Sequence, residues 1–242
     1  MFFSKALRYK IKRKLRRLAE TFGIFRWSSP ALYKIDKHLE KYLPETPGFF
    51  IEAGAHNGYS QSNTYYWERV KHWKGILVEP ISEQYQECCK ERPRAKVFHN
   101  ALVDFEYSQP TVPIYSLSLM SQMVDSTQEE SQSELRQLGM QLEKGVTGEI
   151  EYAPARTLTS ILDEVQPPQI DFFSLDVEGN ELSVLKGLDW KKYSPTVILV
   201  EANKPAELEN FLCPKGYKVI RDFSPNDLLF IRECESAQDS AL

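Results

Sequence analysis

Cysteine and histidine are scarce in this 242-residue chain, which has four of each. Cys88 and Cys89 are adjacent, no Cys-x-x-Cys occurs, and the histidines lack the His-Glu-x-x-His spacing of zinc enzymes. A zinc site and a disulfide framework are therefore disfavoured. We expect free thiols in a reducing compartment, which indicates a cytoplasmic protein, and we expect no metal site.

Long apolar runs and phosphate-binding motifs are also missing. No segment approaches the roughly 20 apolar residues of a membrane span, and we expect no secretory signal because no apolar region follows the basic start. Neither the Gly-x-Gly-x-x-Gly fingerprint nor a P-loop is present. These absences disfavour a nicotinamide-dependent oxidoreductase and exclude a P-loop enzyme.

Basic residues are concentrated at the N-terminus, although the net charge of the whole chain is -4. Residues 1–26 contain nine Lys or Arg and one acid, Glu20. The remainder is acidic, so we expect no nucleic-acid partner. Apolar residues recur at three- and four-residue spacing, which predicts an amphipathic helix; they are Phe3, Leu7, Ile11, Leu15, Leu18 and Phe22.

Three interpretations of this helix stay open. Its apolar stripe can lie on an anionic membrane, which would make residues 1–26 a peripheral membrane contact. It can instead pack on the body of the protein or on a partner, with the charges facing water. An organelle presequence fits the shortage of acids but not the shortage of serine.

From residue 48 onward, apolar runs alternate with helical segments, which indicates an α/β fold with a parallel sheet. The predicted strands are 48–53, 75–80, 95–103, 170–179 and 195–201, and 217–223 with 227–232 forms a C-terminal antiparallel hairpin. We divide the chain into a basic amphipathic helical extension (1–44), a main domain (45–235) and a frayed tail (236–242). Residues 120–149, rich in Ser, Gln and Glu, form an insert or lid within the main domain.

Four of these predicted strands end in an acid: Glu52, Glu79, Asp176 and Glu201. Ligands of open parallel sheets bind beyond the carboxyl ends of the strands. Carboxylates gathered there are costly unless they meet hydrogen-bond donors or a cation. Glu79 is placed to accept hydrogen bonds from a ribose diol. A ligand with a ribose, a cationic centre and an amino acid group fits these features, as S-adenosylmethionine does.

Several motifs resemble those of the FkbM family of S-adenosylmethionine-dependent methyltransferases. They are FIEAGAHNGYSQSNTYYWE, WKGILVEP, ERPRAKVFHNALV and IDFFSLDVEGNELSVLKGLDW, and the resemblance covers about residues 45–235. It implies a class I, Rossmann-like, mostly parallel seven-stranded sheet with helices on both faces. It also implies O-methylation of a hydroxyl on a sugar, glycan or small natural product. Asn57 stands where the family often has an acid, and Ser174 where it has Lys.

The resemblance also implies which residues bind S-adenosylmethionine. Around its methionine part it places Glu52, Gly54, Ala55, Asn57 and Gly58. Glu79, followed by Pro80, takes the ribose, while Asn100 and Ala101 lie near the adenine. Ser62, Asn63 and Thr64 precede a predicted helix, where they either bind the cofactor carboxylate or simply cap the helix.

Three residues are candidates for catalysis: Asp176, Glu178 and His56. A carboxylate at Asp176 or Glu178 can deprotonate an acceptor hydroxyl during transfer, and Asp176 also borders the cofactor. Alternatively, Asp176 caps the following helix, or both acids hold Mg²⁺ together with Glu201. His56 is either a base or a structural part of the glycine turn. A non-catalytic, membrane-associated protein that retains the fold is the competing hypothesis.

Overall fold

The computed structural model describes residues 5–116, 122–123 and 149–233. Seven α-helices lie in these ranges: α1 (Lys5–Thr21), α2 (Ile35–His38), α3 (Tyr65–Arg69), α4 (Ser82–Glu91), α5 (Leu158–Val165), α6 (Glu181–Lys186) and α7 (Pro205–Leu212). The strands are β1 (Phe49–Ala53), β2 (Lys74–Val78), β3 (Lys96–Phe98), β4 (Ala101–Leu102), β5 (Thr111–Ser116), β6 (Gln122–Met123), β7 (Glu149–Arg156), β8 (Phe172–Leu175), β9 (Val197–Glu201), β10 (Tyr217–Ile220) and β11 (Asp227–Arg232).

The main sheet has seven strands in the order β10-β11-β9-β8-β1-β2-β3. Pairing is parallel from β9 to β3, whereas β11 runs antiparallel to both β9 and β10. This is the fold of class I methyltransferases, and it confirms the predicted α/β class and the C-terminal hairpin. The chain leaves β1 toward β2 and β3 and later returns on the other side to β8, so the topological switch point lies between β1 and β8.

Both faces of the central strands are buried, which explains why they read as continuous apolar runs. Side chains alternate across a strand. In β1, Ile51 and Ala53 pack into one core cluster, while Phe50 packs into the other. In β8, Phe173 belongs to the first cluster and Phe172 to the second. The sheet is therefore covered on both sides.

A second sheet, in the order β4-β7-β5-β6, was not predicted. It also corrects the expectation of one strand over 95–103: β3 pairs with β2 in the main sheet, whereas β4 pairs with β7. Of the predicted insert 120–149, only β6 and the first residue of β7 are described. The predicted helix within it and the tail 236–242 lie outside the described residues.

The helical prediction at the N-terminus is confirmed by α1. The part of its apolar stripe whose side chains are described does not pack on the body, because Ile11, Leu15, Leu18 and Phe22 are all exposed. The interpretation in which the stripe covers the body while the charges face water is therefore wrong. No helix in the described part of the chain is both long enough and apolar enough to cross a membrane.

Candidate cofactor and active site

An open pocket lies at the carboxyl ends of β1, β2 and β8, beside the topological switch point. The segments that follow these strands supply most of its wall. Its lining residues are Glu52, Ala53, Gly54, Ala55, His56, Ser60, Gln61, Ser62, Asn63, Val78, Glu79, Pro80, Asn100, Ala101, Leu102, Ile114, Ser174, Asp176, Val177, Glu178 and Asn180. A pocket therefore lies beyond the strand ends, where the sequence predicts the ligand; that the ligand binds in it stays a prediction.

The floor of the pocket requires a glycine at position 54. Gly54 has φ +80°, and a Cβ built there would lie 1.7 Å from the backbone oxygen of Asp176. The backbone N–H groups of Gly54 and Ala55 both donate to the Val78 carbonyl, at 3.0 and 3.1 Å. The turn after β1 is thus held against β2 while it touches the end of β8. Only a residue without a side chain permits this approach.

Glu52 ends β1 in contact with donors from the protein itself. Its Oε2 accepts hydrogen bonds from Ser62 Oγ (2.9 Å), Thr64 Oγ1 (2.6 Å) and Arg92 Nη1 (3.2 Å). Its Oε1 accepts from the backbone N–H of Asn63 at 3.0 Å. We expected this strand-end carboxylate to need hydrogen-bond donors, and the protein itself supplies them. The buried guanidinium of Arg92 balances the charge of Glu52.

Arg92 is fully buried and joins this network to the helix beneath it. Its Nε donates to Glu68 Oε2 at 2.6 Å, and its Nη2 donates to Thr64 Oγ1 at 2.9 Å. Nη1 also reaches the Gly58 carbonyl at 3.2 Å. One arginine therefore fixes the polar segment after β1, α3 and the end of α4 together.

Glu79, at the end of β2, is buried between two backbone donors. His56 N–H donates to its Oε2 at 2.7 Å and Ile81 N–H donates to its Oε1 at 2.8 Å. Burial raises the pKa of Glu79 to about 7 despite these two bonds. A carboxylate has about four acceptor positions, so each oxygen keeps capacity for another hydrogen bond. That capacity suits the two hydroxyls of a ribose.

The opposite side of the pocket carries carboxyl groups close to one another. Burial, then the neighbouring Glu201 and Glu178, raise the pKa of Asp176 well above its usual range. Burial and Glu201 also raise the pKa of Glu178 to about 8. Burial and Glu181 raise the pKa of Glu201 as well, while the adjacent Asp176 carboxyl acts in the opposite direction. Within the described ranges, none of these three acids forms an ion pair with Lys or Arg.

Two further acids complete this acidic side. Glu181 Oε1 accepts hydrogen bonds from Gly179 N–H (2.9 Å) and Val177 N–H (3.3 Å), which closes the turn after β8. Burial raises the pKa of Glu181 and of Asp227. Glu178 has φ +56°, a left-handed conformation that is uncommon for residues other than glycine. Such backbone outliers are frequent at functional sites.

The pocket brings together most of the residues predicted from the sequence. The predicted residues that line it are Glu52, Gly54, Ala55, His56, Ser62, Asn63, Glu79, Pro80, Asn100, Ala101, Asp176 and Glu178. Ser62 also shows the second role that was considered, since its Oγ accepts from Tyr65 N–H at 3.0 Å in the first turn of α3. The binding and catalytic roles of these residues stay predictions.

Three predicted cofactor residues lie behind the pocket wall, outside its lining. Asn57 Oδ1 accepts from the backbone N–H groups of Tyr59 and Ser60 and so stabilises the turn. Gly58 has φ +76° and faces Arg92 and Cys88. Thr64 is fully buried. Each of these residues supports the wall through local geometry or hydrogen bonding.

Sequence reasoning missed several residues that shape the site. Arg92 carries no local signal, because an arginine at the end of a helix is ordinarily exposed. Ser174 was noted only as a departure, yet its Oγ accepts from Asn63 Nδ2 at 3.0 Å across the pocket floor. Asn180 donates to the Leu102 carbonyl at 3.1 Å and links the acidic side to the second sheet.

Among the described residues, no group of three His, Cys, Asp or Glu side chains is arranged to hold a metal ion. The alternative in which Asp176, Glu178 and Glu201 hold Mg²⁺ is therefore not supported by the positions of these three side chains. Three of the four cysteines are described and are free thiols: Cys88 is buried, and Cys89 and Cys213 are exposed.

The profile of the FkbM methyltransferase domain matches residues 52–232. The chain belongs to the FkbM methyltransferase family. S-adenosylmethionine is the cofactor of this family. The matched range starts at Glu52, near the end of β1, and runs to the end of β11, so both sides of the pocket lie within it. A search of curated proteins found no match.

Solved structures with a similar fold are methyltransferases of low sequence identity. The FkbM methyltransferase of Methylobacillus flagellatus KT is 17% identical, with a TM-score of 0.47, over 85% of this chain. This chain spans about half the length of that protein, 48%. Human methyltransferase 10 domain containing protein (13%, TM-score 0.47) covers 93% of this chain and 98% of its own. M. capricolum TrmK, solved with S-adenosylhomocysteine, is 9% identical with a TM-score of 0.40 over 84% of this chain and 67% of its own.

The pocket of this FkbM family member has the chemistry that its cofactor requires. Glu79 offers free acceptor positions for ribose hydroxyls. Val78, Leu102 and Ile114 give a buried apolar wall against which a flat base can pack. The acidic side offers carboxyl groups that lack a basic partner among the described residues, and a sulfonium and an ammonium group can offset their charge. Together these features fit the cofactor.

Proposed function

We propose that the protein transfers a methyl group from S-adenosylmethionine to a hydroxyl of a sugar, a glycan or a small natural product. The observation that carries the proposal is the pair Asp176 and Glu178 at the end of β8, on the pocket wall, with raised pKa values. A group that removes a proton near neutral pH works best when its pKa lies close to that pH. The pKa of Glu178, about 8, meets this condition.

The cofactor supplies a methyl group on a positively charged sulfur. Glu79 accepts hydrogen bonds from the ribose hydroxyls, while Asn100 and Ala101 border the adenine. Asn100 is oriented by its bond to the Pro154 carbonyl at 3.1 Å. Ser62 and Asn63, held by Glu52, face the amino acid end. With the cofactor fixed in this way, positioning the acceptor in line with the methyl group accounts for much of the acceleration.

Asp176 and Glu178 face the acceptor. A hydroxyl is a weak nucleophile at neutral pH, so its proton must leave as the new carbon–oxygen bond forms. Glu178 takes that proton, and burial together with the neighbouring Glu201 carboxyl keeps its pKa high enough to do so. The backbone of Glu178 in the left-handed region, followed by Gly179, places this side chain in the turn rather than on a helix.

The test combines a transfer assay with cofactor calorimetry. Methyl-labelled S-adenosylmethionine is incubated with the protein and a cell extract, and the labelled product is identified. We expect a methyl ether. Glu178→Gln should lower the transfer rate about 100- to 10,000-fold, while the Kd for S-adenosylhomocysteine, which lacks the sulfonium charge, stays within about threefold. Glu83→Gln, an exposed acid of α4, is the matched control and should leave both unchanged.

Two outcomes would contradict the proposal. Label on nitrogen, sulfur or carbon would exclude O-methylation, although the protein would remain a methyltransferase. Absence of cofactor binding would instead favour the competing hypothesis, a membrane-associated protein that retains the fold without catalysis. The intact carboxylates and glycine at Glu52, Gly54 and Glu79 argue against that hypothesis.

A further inference from the structure

The helix α1 is attached to the body by its basic face. Arg13 and Arg16 form ion pairs with Glu87 and Glu91 of α4. Arg17 also lies 3.3 Å from Glu91. Arg16 and Glu91 are buried. At 3.6 residues per turn, positions 13, 16 and 17 share one side of α1, so charged residues form the face that meets the protein.

Glu20 extends this attachment by one turn. It is buried, and it accepts hydrogen bonds from Tyr65 Oη at 3.0 Å and from Arg69 Nη2 at 2.9 Å. Ser28 Oγ donates to it at 2.8 Å. The Arg16 guanidinium lies 3.5 Å from the centroid of the Tyr59 ring, a cation–π contact. These contacts fix which side of α1 faces outward.

The outward side is apolar. Leu15 is 57% exposed, Leu18 is 56% exposed and Phe22 is 76% exposed, and Ile11 stands in line with them one turn earlier. Exposed apolar side chains continue beyond the helix. From here on, the name apolar stripe includes them as well as the described helix residues; it comprises Ile11, Leu15, Leu18, Phe22, Ile24, Phe25, Trp27, Leu32 and Tyr33. A concentration of large exposed apolar side chains in one segment of a folded protein marks an interaction site.

The charge around the apolar stripe has one sign. Lys12, Lys14, Arg26 and Lys34 are exposed beside it. Between positions 11 and 34 the only acid is Glu20, which is buried in the attachment. An apolar surface edged by Lys and Arg is the arrangement of helices that lie in the interface of an anionic bilayer.

We propose that the apolar stripe binds the surface of a membrane that contains anionic lipids, with α1 lying parallel to the bilayer. Charge complementarity favours this occupant over a second copy of the chain, because two copies would bring the same cationic edges together. The arginine face keeps the body on the aqueous side. Tyr59 Oη donates to the Trp27 carbonyl at 2.7 Å, so the stripe adjoins the loop that carries Ser60 into the pocket.

The test is co-sedimentation of the full chain with vesicles of phosphatidylcholine that contain or lack phosphatidylserine. We expect pelleting with the anionic vesicles only. Leu15→Glu/Leu18→Glu should weaken the partition at least about tenfold. The matched control is Phe105→Glu/Tyr152→Glu, which changes two side chains of similar exposure outside the stripe and should pellet like the parent. Calorimetry with S-adenosylmethionine checks that each variant is folded.

A second variant separates the electrostatic contribution. Lys12→Gln/Lys14→Gln should lower the partition by about fivefold per lysine on anionic vesicles, and added salt should reduce the difference. Equal pelleting of Leu15→Glu/Leu18→Glu and its parent would overturn the proposal, as would no pelleting of the parent. A parent that is dimeric without lipid, and monomeric as Leu15→Glu/Leu18→Glu, would overturn it in favour of self-association.

Discussion

The two sides of the pocket differ in whether the protein supplies a cationic partner for their buried carboxyl groups. On the glycine-turn side, after β1, Glu52 is held by Arg92 and by donors from the chain. On the acidic side, Asp176 follows β8, Glu201 ends β9, and the pKa values of both carboxyls are raised. The charge of Glu52 on the first side is balanced by residues of the chain itself. The second side gathers buried carboxyls that lack a Lys or Arg partner among the described residues, which is costly and is explained by a function.

The largest expected effect concerns the glycine-turn side. Arg92→Met would leave Glu52 and Glu68 buried without their cation, and breaking a buried ion pair in this way costs about 3–5 kcal/mol. Urea denaturation would measure the loss in the free energy of unfolding. Arg221→Met, which removes an exposed pair with Glu209, is the control and should leave the free energy of unfolding nearly unchanged, because water already screens that pair.

Arg92→Met/Glu68→Gln keeps this prediction testable if the single variant does not fold, because neutralising one of the two acids should recover part of the loss. A single variant that costs less than the Arg221→Met control would show that Arg92 does not balance the buried charge. The two sides of the pocket would then not differ in the way described.

The sequence predicted the location of both sides but not this difference between them. Acids at the ends of apolar runs marked Glu52 and Asp176, because strand ends meet at one edge of a parallel sheet. The partner of Glu52 is Arg92, forty positions away in the chain, and nothing local indicates that pairing. Likewise, the stripe of α1 was visible as periodicity, but its attachment through Arg16 and Glu91 depends on tertiary packing.

The second sheet was missed for a physical reason. Its longer strands, β5 and β7, contain Pro113 and Pro154. Proline removes a backbone donor and is largely confined to edge strands or strand ends, so a run that contains it is read as a weak strand candidate. In the structure β5 and β7 nevertheless pair, with Pro113 opposite Tyr152 and Pro154 opposite Thr111.

A smaller effect, of opposite sign, is expected on the acidic side. The pKa of Asp176 is raised in the folded chain, so the stabilising contribution of its carboxyl is complete below about pH 4 and is lost as the pH rises through the folded pKa. Asp176→Asn removes that loss, because an amide of nearly the same shape cannot ionise. It should raise the Tm of the ligand-free protein at pH 8 by about 2–4 °C, measured calorimetrically.

The control for Asp176→Asn is Asp222→Asn, the same change at an exposed position, which should move the Tm by less than about 1 °C. At pH 4 the Tm of Asp176→Asn should not exceed that of the parent. A Tm that falls at pH 8 would mean that the Asp176 carboxylate is stabilised in the folded protein, and the acidic side would resemble the glycine-turn side after all.

The smallest expected effect is on the number of protons that the protein releases when a ligand binds. This number should differ between S-adenosylhomocysteine and S-adenosylmethionine, because only the second ligand carries a sulfonium charge toward the acidic side. Glu79 has a pKa of about 7, and ribose hydroxyls bind its ionised form, so S-adenosylhomocysteine should release part of a proton at pH 7. S-adenosylmethionine adds a sulfonium charge that favours ionisation on the acidic side, and it should release more. The affinity of the protein for S-adenosylmethionine should rise up to about tenfold from pH 6 to pH 8 because of the ionisation of Glu79 alone.

Calorimetry in two buffers of different ionisation enthalpy counts these protons. Glu79→Gln should abolish the release caused by S-adenosylhomocysteine but keep the excess caused by S-adenosylmethionine, because that excess arises from Asp176 and Glu178. Equal release by the two ligands would mean that the acidic carboxyls do not sense the sulfonium. In that case Asp176 and Glu178 would face only the acceptor. Removal of the acceptor's proton would then be the sole reason for burying these carboxyl groups close together.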